Sequence, residues 1–365
     1  MEDGRFEFIR GTASFADAQH VEVRLREGGR RCLEGRAFLI ATGSKVHCVE
    51  VPGLAETGFV TSDEVLDADT IPASVIVLGG GAIALEMASF YAGIGSRVTV
   101  IQRSAQVLKE ADADVAEALV EAMEKRGMRI IRDTALRSVR REGGKKRVEF
   151  THDGRDDFVE ADEILCALGR IPNLDGLALD RAAVSVGKTH LATNAHQQCG
   201  AAHLFAAGDV CGPHEVVHLA IQQGELAARN AARVLGKLGG ELESIDYALK
   251  LFAVFTRPQV ASVGLTEREC AEQGIAFTAA KYLFADCGKA MVHGETEGFV
   301  KLIVARDTRR ILGAACVGPE ASELIHEIAV AMHFGATAGD LARVPHYHPT
   351  LSEIWTYPAE ELAAF

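Results

Sequence analysis

Residues 346–355, HYHPTLSEIW, include the side chains best suited to proton transfer. Glu353 lies five residues after His348, and a proline follows this second histidine. A carboxylate at this spacing can hold an imidazole in one tautomer and raise its basicity near neutral pH. The pattern predicts that His348 is a general base oriented by Glu353. From the residues alone, a turn histidine at a proline corner is the alternative.

A second candidate site is the glycine-rich segment Gly79-x-Gly81-x-x-Ala84, between an apolar strand and a helix. The first glycine permits a tight turn, the second lets a pyrophosphate approach the backbone, and the small third residue packs helix against strand. The first amides of the helix then face the phosphates. The spacing alone is weak evidence, but the strand–helix–strand context makes it a strong prediction of dinucleotide binding. The alternative is a tight turn without a ligand.

The residues at the end of the following strand indicate which dinucleotide binds. Gln102 stands where an acidic residue would bind the ribose diol of NAD and repel a 2′-phosphate. Arg103 and Ser104 follow it, and both can donate hydrogen bonds to a phosphate. The sequence therefore favours NADP over NAD. The alternative is that Arg103 is a solvated surface residue and the pocket accepts both.

Composition excludes several classes of function. The formal net charge of −13 over 365 residues disfavours nucleic acid and anionic membranes as partners. The most apolar long window contains Glu86 and several glycines, so no membrane span is predicted. The eight cysteines form no CxxC or CxxxxC pair, which is typical of a reduced cytoplasmic protein. Cys211, His214 and His218 lack the spacing of a structural zinc site, and no metal is predicted.

The order of elements indicates several domains. Residues 1–45 resemble an antiparallel meander, and from about residue 71 strands alternate with helices in the doubly wound α/β pattern. After a change in composition at residues 239–246, strands and one helix form a predicted α+β domain.

Eight motifs in order resemble the flavin- and pyridine-nucleotide-dependent disulfide oxidoreductases, a family that includes dihydrolipoamide dehydrogenase, glutathione reductase, mercuric reductase and soluble transhydrogenase. They are ATGS (41–44), GGGAIALEMA (79–88), GRIPN (169–173), AAGDV (206–210), FTRPQVASVGLTE (255–267), GFVKLIV (298–304), LGAACVGPEASELI (312–325) and HYHPTLSE (346–353).

The resemblance implies an α/β fold with two Rossmann-like domains, one for FAD and one for NAD(P), and a C-terminal α+β dimerisation domain. The FAD-binding domain is expected to be incomplete. The expected boundaries are 1–69 and 171–245 for the two segments of the FAD-binding domain, 70–170 for the NAD(P)-binding domain and 246–365 for the dimerisation domain.

The resemblance also implies roles for individual residues. Thr42 and Gly43 would lie beside FAD, and Asp209 would hydrogen-bond a ribitol hydroxyl. Gly169 and Arg170 would lie near the nicotinamide cofactor.

Two further positions gain roles from the resemblance. Glu86 belongs to the nucleotide helix, and its usual lysine partner lies in a segment absent from this sequence, which leaves it without a partner. In a two-fold homodimer, His348 and Glu353 would reach into the partner's active site and shuttle a proton for a redox-active dithiol.

The sequence departs from the family in lacking the first GxGxxG and the CxxxxC redox disulfide. A late gene start, a second chain or a true loss would each explain this. We favour the first, which predicts both motifs in the DNA upstream of Met1.

The expected function is hydride transfer between NAD(P)H and FAD and on to a disulfide, as in dihydrolipoamide dehydrogenase, with the present chain inactive on disulfides. Mercury reduction is disfavoured because the sequence ends without a vicinal cysteine pair. The alternatives are a mercuric-reductase-like or soluble-transhydrogenase-like NADPH:FAD oxidoreductase and, from another class, a non-catalytic nucleotide-binding dimerisation fragment.

Overall fold

A computed structural model describes residues 6–47 and 49–364, so Cys48 lies outside the described residues. The described strands, in chain order, are β1 (Gly11–Phe15), β2 (His20–Leu25), β3 (Arg30–Glu34), β4 (Phe38–Ile40), β5 (Ser44–Val46), β6 (Ser74–Leu78), β7 (Arg97–Ile101), β8 (Arg129–Ile131), β9 (Thr134–Glu142), β10 (Lys145–His152), β11 (Arg155–Ala161), β12 (Glu163–Cys166), β13 (Arg170–Pro172), β14 (Leu204–Ala206), β15 (Leu251–Val254), β16 (Gln259–Gly264), β17 (Phe277–Leu283), β18 (Phe299–Ala305) and β19 (Ile311–Gly318).

The described α-helices are α1 (Leu54–Thr57), α2 (Ser62–Val65), α3 (Ala82–Gly93), α4 (Ala113–Lys125), α5 (Val217–Val234), α6 (Glu267–Glu272), α7 (Gly288–His293), α8 (Ala321–His333), α9 (Ala338–Ala342) and α10 (Thr356–Ala363). Short 3₁₀ helices cover Leu179–Ala182, Phe284–Asp286 and Ser352–Trp355. None of the helices in these ranges is both long and apolar enough to cross a lipid bilayer.

The chain divides into two compact units. The first contains residues 1–46 and 170–247, and the second contains residues 47–169 and 248–365. In the first unit, β1, β2 and β3 form an antiparallel sheet, β4 pairs with β14 in parallel, and β5 pairs with β13. The predicted antiparallel meander therefore forms over residues 11–34, but β4, which was expected to continue it, pairs in parallel with β14 instead.

In the second unit, the parallel sheet β12-β6-β7-β8 carries the glycine-rich turn. Every residue of β6 is buried, as expected for a parallel strand that is covered on both faces. Val75 and Val77 pack in the cluster with α3 and α4, whereas Ile76 and Leu78 pack with Phe150 in a second cluster. This alternation follows from the two-residue period of a strand.

The C-terminal part of the second unit is the five-stranded antiparallel sheet β15-β16-β19-β18-β17. Trp355 is fully buried in its core, and its indole N–H donates to the carbonyl of Leu324, 3.0 Å away. The predicted fold class, α/β with a C-terminal α+β domain, is confirmed.

A buried lysine joins the α/β part of the second unit to the C-terminal sheet. Lys301 of β18 is fully buried, and its Nζ lies 2.7 Å from Asp112 Oδ2, 2.9 Å from Asp114 Oδ1 and 2.7 Å from Glu267 Oε1. Burial lowers the pKa of this lysine, but the hydrogen bonds that it donates to the three carboxylates outweigh burial and raise the pKa overall. The ammonium group supplies the positive charge that these three acidic groups need.

Replacing this ammonium group is expected to destabilise the fold. Lys301→Met should lower the free energy of unfolding by about 3–5 kcal/mol, because three carboxylates then face one another without a buried cation. Lys281→Met is the matched control: Lys281 also contacts Asp114 but is 43% exposed, so its loss should cost less than about 1 kcal/mol. Urea unfolding followed by circular dichroism measures both, and equal losses would contradict the assignment.

The same cluster predicts a dependence on pH. Burial opposes ionisation of Asp114, but its hydrogen bonds to the two lysines hold its pKa below the ordinary value of 3.8. The folded state therefore gains stability from Asp114 above that pH, and the gain is lost as the pH falls through the lowered pKa. Lys301→Met should reduce this loss of stability in acid.

Candidate functional site

The glycine-rich turn leaves room for a phosphate at the start of α3. Gly79 has φ of +121°, and a Cβ there would lie 2.3 Å from the carbonyl oxygen of Ala167. Ala84 is fully buried beside it. A Cβ at Gly81 would meet no atom within 4 Å, and no side chain caps α3. The first amides of the helix thus face open space, which fits a pyrophosphate.

The end of β7 lies beside this turn. A Cβ at Gly80 would lie 2.9 Å from Gln102 Cδ, so the Gln102 side chain packs against the turn. Its Nε2 donates to the carbonyl of Gln106, 3.4 Å away. The side chain of Arg103 is exposed and forms no ion pair with any described residue. Its charge is therefore available to a ligand.

Glu86 has a partner, which corrects the expectation that it is left without one. Its Oε1 accepts a hydrogen bond from the backbone N–H of Phe255 at 2.9 Å. Burial raises the pKa of Glu86, and this hydrogen bond offsets part of that rise. This contact could not be predicted from the sequence, because the two residues are 169 positions apart.

The residues expected near FAD come together in the first unit. Thr42 Oγ1 donates to the carbonyl of Asn173 at 2.8 Å, and the carbonyl of Gly43 accepts from the N–H of Asn173 at 2.9 Å. Asp209 Oδ2 accepts from Ser44 Oγ at 2.7 Å. Ser44 was not singled out from the sequence, although it ends the ATGS motif.

Gly169 and Arg170 have different surroundings. The carbonyl of Gly169 accepts from the N–H of His47 at 3.0 Å. Arg170 Nε donates to Ser44 Oγ at 2.7 Å, and its Nη2 donates to the carbonyl of Ser44 at 3.0 Å. Arg170 therefore lies one hydroxyl away from Asp209, among the residues expected near FAD. Its expected place near nicotinamide stays a prediction.

The two histidines of the C-terminal segment differ in environment. His348 Nδ1 lies 2.8 Å from Glu353 Oε2, and the histidine side chain is 77% exposed while the carboxylate is buried. The other carboxylate oxygen accepts from the N–H of Thr350 at 3.3 Å. Glu353 is thus fixed, and it fixes the ring of His348.

His346 uses both of its ring nitrogens within the fold. Nε2 lies 2.6 Å from Glu327 Oε1 and Nδ1 lies 2.9 Å from the carbonyl of Val344, and the side chain is only 8% exposed. His346 thereby joins the C-terminal segment that contains it to α8. Sequence spacing could not distinguish the two histidines, because Glu327 lies 19 residues before His346.

Comparisons with known proteins agree with this arrangement. Residues 1–224 match the model of the pyridine nucleotide-disulphide oxidoreductase family, and residues 252–359 match the dimerisation domain of the same family.

Individual relatives cover nearly the whole chain. Dihydrolipoyl dehydrogenase 3 of Haloarcula marismortui is 36% identical over 94% of this chain and 72% of its own length. Mercuric reductase of Staphylococcus aureus is 32% identical over 93% of this chain, which spans 60% of that protein. The structure of the HOCl-induced flavoprotein disulfide reductase RclA from Escherichia coli superposes with a TM-score of 0.85, at 25% identity, over 97% of this chain and 79% of that one.

These matches cover both units, and the chain belongs to the pyridine nucleotide-disulphide oxidoreductase family, in which FAD and NAD(P)H serve as cofactors.

Proposed function

We propose that the protein is an NADPH-dependent flavoprotein oxidoreductase that moves reducing equivalents through FAD to a disulfide, in the manner of dihydrolipoamide dehydrogenase. The observation that carries the proposal is the hydrogen bond between His348 Nδ1 and buried Glu353. A histidine held this way at an exposed position is suited to exchanging protons with a thiol.

Glu353 determines which nitrogen of His348 handles the proton. Because Nδ1 donates to the carboxylate, Nε2 of the neutral ring carries the free lone pair. Nε2 takes a proton from a thiol as the thiolate forms and returns it when a thiol leaves. The carboxylate stabilises the imidazolium formed between these steps.

The nucleotide would be held at the start of α3. Gly79, Gly81 and Ala84 would form the pyrophosphate turn, and Gln102 with Arg103 would contact the ribose that bears the 2′-phosphate. NADPH is favoured over NADH because Arg103 supplies positive charge without a carboxylate beside it at the end of β7. Glu86 and Gly169 would border the same cofactor.

FAD would be held by Thr42, Gly43 and Asp209. When bound, FAD supplies the two-electron chemistry that connects nicotinamide to sulfur. The half-buried carboxylate of Asp209, fixed by Ser44, offers an acceptor for a ribitol hydroxyl.

The reactive sulfur is proposed to belong to the disulfide substrate or to a cysteine other than those that the structure describes. Burial raises the pKa of Cys211 to about 11 and that of Cys199 to about 12. Both are thiols at neutral pH and are poor nucleophiles. Of the described cysteines, only Cys32 is exposed, and none of them forms a disulfide with another described cysteine.

A two-fold homodimer is proposed to form through the C-terminal domain. The apolar residues Val330, Phe334, Val344 and Tyr347 are all exposed, and the two aromatic residues are 81% and 84% accessible. The hydrogen bond between His346 and Glu327 joins the segment that carries Val344 and Tyr347 to α8, which carries Val330 and Phe334. Exposed apolar patches of this kind mark protein interfaces, and the matching family model is a dimerisation domain.

Two finer assignments accompany the proposal. The expected boundaries at 69/70, 170/171 and 245/246 are kept as proposed domain limits. We place the protein in the cytoplasm because its free cysteines are typical of a reducing compartment.

The alternative functions differ in the acceptor. A mercuric-reductase-like activity is kept as an alternative because such a reductase is among the relatives. A non-catalytic nucleotide-binding fragment is the alternative from another class. A purified protein that is yellow and whose flavin is bleached by NADPH supports the oxidoreductase, whereas a colourless protein that binds no added FAD supports the fragment.

Gly81→Ala is expected to weaken NADPH binding at least tenfold, about 1.4 kcal/mol. The added methyl group enters the open space at the start of α3, where a pyrophosphate would lie, and meets no protein atom. Gly93→Ala, at the other end of the same helix, is the control and also meets no atom. Isothermal titration with NADPH measures both, and equal affinities would contradict the assigned site.

Arg103→Ala is expected to weaken NADPH binding by about 10- to 100-fold, which corresponds to the loss of one hydrogen bond to a charged group. NADH binding should change less than about twofold, since NADH lacks the 2′-phosphate. Arg97→Ala, at the opposite end of β7, is the matched control. A parallel loss for both nucleotides would remove Arg103 from the 2′-phosphate site.

In the longer protein that the CxxxxC motif expected upstream would complete, His348→Gln is expected to slow thiol–disulfide turnover by about 10²- to 10⁴-fold and to leave flavin reduction by NADPH nearly unchanged. Glu353→Gln should have a smaller effect in the same direction, because the ring keeps a hydrogen-bond partner but loses the charge. Stopped-flow absorbance separates the two half-reactions. His293→Gln, an exposed histidine of the same domain, is the control. Equal slowing of both half-reactions would count against the assigned role.

A further inference from the structure

The carboxylate of Asp209 is held by one of its two oxygens. Oδ2 accepts from Ser44 Oγ at 2.7 Å, and Oδ1 has no hydrogen-bond partner among the described residues. The side chain is half-buried, so it is reachable from solvent. One acceptor oxygen is therefore fixed in direction and still open.

Arg170 sets the direction of the Ser44 hydroxyl. A serine hydroxyl has one proton to donate and lone pairs that accept. Because Arg170 Nε donates to Ser44 Oγ at 2.7 Å, the single hydroxyl proton is directed to Asp209. A second bond, from Arg170 Nη2 to the Ser44 carbonyl at 3.0 Å, holds the guanidinium in place. The order of donation is Arg170 to Ser44 to Asp209.

The backbone on the other side of Asp209 is fixed independently. Gln223 of α5 is fully buried, and its Oε1 accepts from the N–H of Gly208 at 2.7 Å. Its Nε2 donates to the carbonyl of Gly212 and to the hydroxyl of Tyr247, both at 2.8 Å. The turn that carries Asp209 is thus held at both ends by one amide side chain.

We propose that Arg170 and Ser44 are positioning residues that fix the Asp209 carboxylate for a polyhydroxylated cofactor chain, with Gln223 fixing its backbone. This rests on the proposed function, in which Asp209 contacts the ribitol of FAD. It assigns Arg170 to the flavin, because its Nε and Nη2 donate to the hydroxyl and the carbonyl of Ser44, whose hydroxyl donates to Asp209. The hydroxyl relay limits the rotation of Asp209 and leaves Oδ1 for the ligand.

Titrations with FAD and with NADPH test the assignment on the protein with Ser44→Ala, Ser44→Thr and Arg170→Lys. Ser44→Ala and Arg170→Lys are expected to raise the dissociation constant for FAD about tenfold and to change that for NADPH less than twofold. Ser44→Thr keeps the hydroxyl and should restore FAD affinity to within threefold of the parent. Ser185→Ala and Arg181→Lys, exposed residues of the same unit, are the controls.

Two results would overturn the proposal while leaving the proposed function intact. One is a loss of NADPH affinity in Arg170→Lys with FAD affinity unchanged. The other is equal FAD affinity for Ser44→Ala and Ser44→Thr.

Crystal structures of the parent protein and the variants without cofactor test this inference even if the proposed function is wrong. If the parent protein binds no FAD, the proposed flavin function fails for this chain, and the position of Asp209 still decides the inference. The carboxylate is expected to leave its rotamer in Ser44→Ala and to keep it in Ser44→Thr. An unmoved Asp209 in Ser44→Ala would overturn the positioning role.

Discussion

The hydrogen bond from His348 Nδ1 to Glu353 is the interaction on which the proposed chemistry depends. It joins an exposed ring to a buried carboxylate, so the reactive group faces solvent while its orientation is set by the fold. An exposed histidine without such a partner would sample several rotamers and both neutral tautomers. The short 3₁₀ helix Ser352–Trp355 places Glu353, and the burial of Trp355 anchors that helix in the core. Proton transfer thus depends on packing several residues away from the ring.

The same relation between a fixed carboxylate and a distant partner recurs elsewhere in the chain. Asp209 is held by Ser44, 165 residues before it, and Asp112 is held by Lys301, 189 residues after it. In each case a charged group that is wholly or partly buried gains a partner within the fold. Such contacts connect segments that the sequence separates widely, and they specify how those segments meet. Apolar packing alone would be less selective among alternative arrangements.

Local features were predictable from the sequence because their causes are local. The Gly79–Ala84 turn follows from steric limits over six residues, and the burial of β6 follows from its unbroken apolar run. The α/β fold class could be predicted for the same reason, and the prediction was confirmed. His348 and Glu353 could also be paired, since five residues separate them. The partners of Glu86 and His346 could not be found, because they come from other elements and the sequence carries no periodic signal for them.

Arg170 shows how position along the chain differs from position in the fold. It directly follows Gly169, and the resemblance assigned both residues to one cofactor. The structure gives Gly169 a backbone bond to His47, whereas the Arg170 side chain binds Ser44. A glycine acts through its backbone, but an arginine acts at the end of a long side chain, several ångströms from its own Cα. Adjacent residues can therefore serve different ligands, and a motif fixes the role of its backbone more firmly than the role of its longest side chain. The roles of Arg103 and Arg170 accordingly depend on which charges and hydroxyls surround each guanidinium, and those surroundings differ. Arg103 is exposed and forms no ion pair with a described residue, whereas Arg170 donates two hydrogen bonds to Ser44.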